Sequence, residues 1–143
     1  MTIPTIILAI ALQMPIPPLG PTLETPPERT TAPLHCDSVP LIGISTYYGK
    51  GLFAGVVANR VRWGHIAEDE CPECLGYAAM LDADTIGARV WVNGYGPLLV
   101  VDNAAAHHRQ GLIDRGWVVD LQWEVWQELG FWNAPTMVQM EVC

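Results

Sequence analysis

The sequence predicts a mainly β chain that closes into a barrel, with one short helix and an extended N-terminal arm. Three observations predict this. From Leu41 onward, short stretches rich in β-branched and aromatic residues alternate with glycine and proline turns. Gln122–Leu129 carries apolar residues at helical spacing and reads as the one short helix. Pro15–Pro40 holds eight prolines, which disfavours both helix and central strand there. A β-rich chain with so little helix avoids sticky sheet edges best by closure.

The chain has 143 residues, which suits one domain. Residues 1–40 read as an apolar segment followed by a Pro-rich arm or linker, and residues 41–143 as the barrel. The apolar run Ile6–Met14 is too short to span a bilayer. It has the character of the apolar part of a signal peptide, yet Met1–Thr5 lacks Lys and Arg. The competing reading is an arm that docks on a partner, giving a homo-oligomer or a larger assembly.

Along the barrel, Ile42–Tyr48 reads as a strand stopped by Gly49, with Gly49–Gly55 a loop. Val56–Trp63 reads as a second short strand, and His65–Cys74 as an acidic turn. Tyr77–Met80 is a short apolar segment. Ala88–Asn93 alternates with period two, whereas Leu98–Val101 is apolar throughout, as a strand buried on both faces is. Gly94–Pro97 forms the turn between them. Asn103–Gly116 reads as a loop holding His107 and His108. Trp117–Val119 leads into Asp120, a candidate N-cap for the helix Gln122–Leu129, which Gly130 ends. Thr136–Val142 alternates and closes the sheet.

Lys and Arg number 7 against 15 Asp and Glu, a net charge of −8. That balance argues against nucleic acid and anionic lipid as partners. Four cysteines occur, Cys36, Cys71, Cys74 and Cys143, and they allow three disulfide connectivities. Cys71-Pro72-Glu73-Cys74 also has the spacing of a zinc knuckle. A zinc site would need Cys36, Cys143 or His65 to complete it, and disulfides are the preferred reading, with no metal or other cofactor.

Several motifs, in order, resemble those of rare lipoprotein A-like domains. Gly43-Ile44-Ser45-Thr46-Tyr47-Tyr48-Gly49 is similar to their "G-x-A-S-W/Y-Y-G" opening, and Ala58-Asn59 to their "T-A-N-G" turn. Tyr77–Met80 with Ile86–Val92 resembles "T-A-A-H … L-P-L-G-T-x-V-x-V". Val100-Val101-Asp102 resembles "V-x-V-x-D", and Val118–Leu121 with Leu129-Gly130 resembles "V-I-D-L-S … A-x-x-L-G". Gly87–Asp102 is also similar to the three-aspartate domains of lytic transglycosylases, and expansins carry the same barrel. The resemblance spans roughly Gly43–Val142 and implies a six-stranded double-psi β-barrel directed at cell-wall polysaccharide, peptidoglycan above all, in an extracellular or cell-envelope setting. In such barrels the first and last strands adjoin, which implies Cys36 with Cys143 and leaves Cys71 with Cys74.

The chain departs from that pattern at two polar positions. The lytic members have Glu after "A-N-G", where this chain has Arg60 or Val61, and His where it has Met80. Asp102 and Asp120 match. The resemblance thus implies Asp120 as the catalytic acid and Asp102 as its companion, with Asn59 near the groove. Burial beside Trp117–Val119 would raise the Asp120 pKa into a useful range. His107 and His108 are candidate replacement acid/base groups. Tyr47, Tyr48, Trp63 and Trp117 could stack on sugar rings, whereas Trp91, Trp123 and Trp126 read as core. Three functions are therefore expected in competition: a lytic-transglycosylase-like enzyme, a glycan-binding barrel that has lost catalysis, and a structural subunit of a virion or surface filament.

Overall fold

A computed structural model of the protein describes residues 36–143. The apolar run Ile6–Met14 and most of the Pro-rich arm lie outside the described residues. The strands are β1 (Leu41–Tyr47), β2 (Tyr77–Met80), β3 (Arg89–Val92), β4 (Tyr95–Asn103), β5 (Trp117–Leu121) and β6 (Thr136–Val142). The helices are α1 (Leu52–Arg62), α2 (Ala106–Asp114) and α3 (Trp123–Glu128), with a 3-10 turn at Ala83–Thr85.

The fold is the expected mainly β, six-stranded closed barrel, in the ring order β1-β5-β2-β4-β3-β6. Two pairs run parallel, β1 with β5 and β2 with β4, and the other four are antiparallel. Exchanging β1 with β4, β2 with β5 and β3 with β6 returns the same ring with the same pair directions. The connectivity therefore has an internal twofold relation.

Alternation along the strands fills the interior. Ala78, Val90, Val92, Leu98, Val100, Val119, Leu121, Val138 and Met140 form one buried cluster, closed at one end by Val125 and Trp126 of α3. A second cluster lies outside the wall, where Phe53 and Ile66 cover Ala79, Leu99 and Val101. This explains why Leu98–Val101 is apolar without alternation: Leu98 and Val100 face in, and Leu99 and Val101 face the covering segment.

Three local expectations are corrected. Val56–Arg62 is helical, within α1, with Trp63 at its C-cap. Its valines suggest a strand, but Phe53, Val56, Val57 and Val61 recur at helical spacing and pack on the outer cluster. Asn103–Gly116 is not a plain loop, because α2 occupies most of it. That helix buries no residue, so no apolar stripe marks it in the sequence. Asp120 is not a helix cap. It lies in β5, and Gln122 is the N-cap of α3 without a side-chain cap bond.

Both cysteine pairs are disulfides, Cys36–Cys143 with Cα atoms 5.7 Å apart and Cys71–Cys74 at 5.3 Å. Cys143 lies beyond β6, where its backbone exchanges hydrogen bonds with Arg89. Among the described residues no helix is long and apolar enough to cross a membrane.

Candidate functional site

Two irregularities in the sheet build the site. In the β1–β5 pair the register slips between Ile44 and Ser45, so Val118 has no partner. Gly43 permits the close approach: a Cβ there would lie 2.4 Å from Val118 Cγ1 and 2.6 Å from the Gly116 carbonyl. After the slip, Thr46 pairs with Asp120. In the β2–β4 pair the register slips between Ala78 and Ala79, so Val101 is passed over and Ala79 pairs with Asp102. Bulges of this kind re-aim side chains. Here the slip turns Asp102 to the same side as Val101, away from the barrel interior.

Ala79 also pairs with Asp120 across the β2–β5 ladder. The two aspartates thus flank one residue on adjacent strands, on the face that carries the outer cluster. Ala79 is small, and a cavity of about 390 Å³ opens above it. Tyr48, Asp102, Asn103, His108, Trp117 and Asp120 line it, and Leu112 of α2 forms part of the wall.

The two carboxylates have different surroundings. Asp102 receives Arg60 Nη2 at 2.7 Å and the Tyr48 hydroxyl at 2.8 Å. Arg60 is fixed further by donating Nε to the Val101 carbonyl at 3.0 Å and Nη2 to Asn103 Oδ1 at 3.2 Å. Its Nη1 also lies 3.1 Å from His65 Nδ1. This is a charge-assisted, largely buried pair, with side chains 15% and 21% exposed. Burial, reinforced by the bond to Asp102, pushes the Tyr48 phenol well above its ordinary pKa, so it stays a donor throughout the neutral range.

Asp120 has no cationic partner among the described residues. The Thr46 hydroxyl donates to its Oδ1, and Trp117 Nε1 approaches the same oxygen at 3.3 Å while donating to Thr46 Oγ1 at 2.9 Å. Oδ2 accepts no bond from the described residues. Burial raises the Asp120 pKa above the usual carboxylate value, and the bonds from Thr46 and Trp117 oppose this only in part. The arrangement offers one buried carboxyl group with an open oxygen beside a carboxylate paired with arginine.

The raised pKa has a consequence for stability. Between the ordinary carboxylate value and the folded-state value, the folded chain keeps a proton that the unfolded chain has lost. Stability from this group is therefore full at low pH and falls as pH rises through the folded pKa, by at most about 1.4 kcal/mol per pH unit. Urea unfolding from pH 4 to 8 should show wild type losing stability relative to Asp120→Asn as pH rises, by at most this slope. Identical slopes would contradict it.

Of the side chains singled out from the sequence, Tyr48, Asp102, His108, Trp117 and Asp120 come together around the cavity. His107 does not line it, although its ring lies 4.0 Å from that of His108. Asn59 is exposed on α1, outside the cavity. Trp63 follows α1, 57% exposed, with its ring edge-on to His65. Asn59 was expected at a turn and Trp63 at the end of a short strand, and the helical course of α1 carries both elsewhere. Arg60 and Thr46 were not anticipated. The signal for Arg60 was its place at one of the two positions, Arg60 or Val61, where the resembled pattern has Glu. Among the described residues no group of three or more His, Cys, Asp or Glu side chains is placed to hold a metal ion.

No family model, no curated protein and no solved structure matches the chain.

Proposed function

We propose that the protein is a cell-wall-glycan-directed double-psi barrel that cleaves its substrate in the manner of a lytic transglycosylase, with Asp120 as acid and base. The twofold exchange of strands and the two parallel pairs support the double-psi assignment. One observation carries the reaction class: of the two carboxyl groups that line the cavity among the described residues, Arg60 and Tyr48 occupy Asp102, which leaves Asp120 available. Hydrolysis by two carboxylates needs a second group free to activate water or attack. A transglycosylase needs only one. Asp120 gives its proton to the glycosidic oxygen as the C–O bond breaks, and a hydroxyl of the same sugar closes on the anomeric carbon. That hydroxyl returns its proton to Asp120.

Asp102 and Tyr48 then serve as hydrogen-bonding groups for sugar hydroxyls, and Trp117 and His108 as walls. Two disulfides fit an oxidising, extracellular or envelope compartment. The test is to incubate the protein with insoluble cell-wall glycan. Soluble fragments with anhydro ends are expected from wild type and not from Asp120→Asn. Equal release by both would overturn the assignment, and binding without release would leave a glycan-binding barrel.

One observation favours a second reading, a subunit of a surface assembly. Val39, Ile42 and Met137 are strongly exposed apolar residues along β1 and β6 and its approach. A monomer at high concentration, seen by sedimentation, would remove that reading.

A further inference from the structure

A second cavity, about 550 Å³, opens at the end of the barrel that α3 closes. Tyr47, Trp123, Trp126, Phe131 and Trp132 supply its apolar surface. The rings support one another: Tyr47 lies 4.8 Å from Trp123 and 5.1 Å from Trp126, and Phe131 stands edge-on to Trp126 at 4.9 Å. Trp126 is buried and forms the floor, whereas Trp132 is 93% exposed. A tryptophan left so open beside an ordered aromatic cluster needs an explanation that the fold does not provide. Among the described residues the lining includes the carboxamides of Gln127 and Asn133, and no charged side chain.

We infer that this cavity is a second saccharide subsite, which holds a neutral pyranose ring of the same glycan strand. The inference rests on the glycan reading above and extends it. A pyranose offers an apolar C–H face and a rim of hydroxyls. Flat rings match the first, and carboxamides, which both donate and accept, match the second. Lack of charge in the lining suits a neutral sugar better than a charged ligand.

Continuity with the acid cavity supports the choice. Tyr47 and Tyr48 are consecutive at the end of β1. Tyr48 lines the acid cavity and stacks on Phe53 at 4.4 Å, while Tyr47 lines the aromatic one. Opposite side-chain directions at successive residues place the two cavities on either side of one strand end. The proposed path takes one glycan strand from Asp120 past the end of β1 to Trp132, where binding would hold it in register for cleavage.

The test uses the full chain and soluble N-acetylglucosamine oligomers of increasing length, followed by tryptophan fluorescence and by side-chain NMR of the indoles. Trp132→Ala, at an exposed position, should keep the fold, weaken binding of the longer oligomers about tenfold, and change binding of the shortest little. Binding of long oligomers unchanged by Trp132→Ala would overturn the second subsite while leaving the glycan reading intact. Failure of every variant and of wild type to bind or cleave glycan would remove both. A proline-rich peptide that shifts the Trp132 indole signal where oligomers do not would also overturn the proposal, since aromatic grooves bind such peptides too.

Discussion

Asp120→Asn should lower fragment release from cell-wall glycan by about 100-fold or more, with the fold intact. The substitution is nearly isosteric. Asparagine Oδ1 can still accept from Thr46 and Trp117, and the amide nitrogen takes the open position of Oδ2. What disappears is the transferable proton. Because burial disfavours the charged carboxylate, replacing it with a neutral amide of the same shape should not harm stability. Loss of activity together with unchanged or improved stability would separate a chemical role from a structural one. Gel-filtration analysis of released fragments, paired with thermal melts of the same preparations, checks both halves. A variant that both unfolds and loses activity would contradict this account of the site.

Removing the Cys36–Cys143 disulfide should cost about 2–5 kcal/mol. The bond joins residues 107 positions apart, so it closes almost the whole described domain into one loop. Cross-links that close long loops restrict the unfolded chain most. It also fastens the segment before β1 to the end of β6, where Ser38 Oγ donates to the Val142 carbonyl at 3.0 Å. Replacing both cysteines with serine should lower the melting temperature by roughly 10–20 °C for a domain of this size. Opening Cys71–Cys74, which spans three positions, should cost much less. Melts of the two double variants provide the comparison, and equal losses would contradict the loop argument.

The strands were legible where one physical pattern acted alone. Ala88–Asn93 and Thr136–Val142 alternate because one face meets the barrel interior, and the apolar run Leu98–Val101 reveals burial on both faces. The two helices outside the wall were obscured for opposite reasons. In α1 the β-branched valines suggested a strand, and only their spacing with Phe53 betrays the helix. In α2 nothing is buried, so no periodicity existed to find. Asp102 and Asp120 could be picked from the order of motifs. That both border Ala79 could not, because it depends on two register slips that leave no composition signal beyond Gly43. The pairing of Arg60 with Asp102 depends in turn on α1 being helical, which places Arg60 against β4. The mistaken strand therefore concealed the residue that most distinguishes this site.

The proposed acid is a buried carboxyl group with a raised pKa beside a second carboxyl paired with arginine. Carbon-detected NMR titration of the aspartate carboxyls, with Asp120 identified by its absence in Asp120→Asn, measures this directly. The expected midpoint for Asp120 lies clearly above the ordinary aspartate value of about 3.9. A midpoint at or below that value would mean that Asp120 is an ordinary ionised carboxylate near neutral pH, and the proposed acid would not exist.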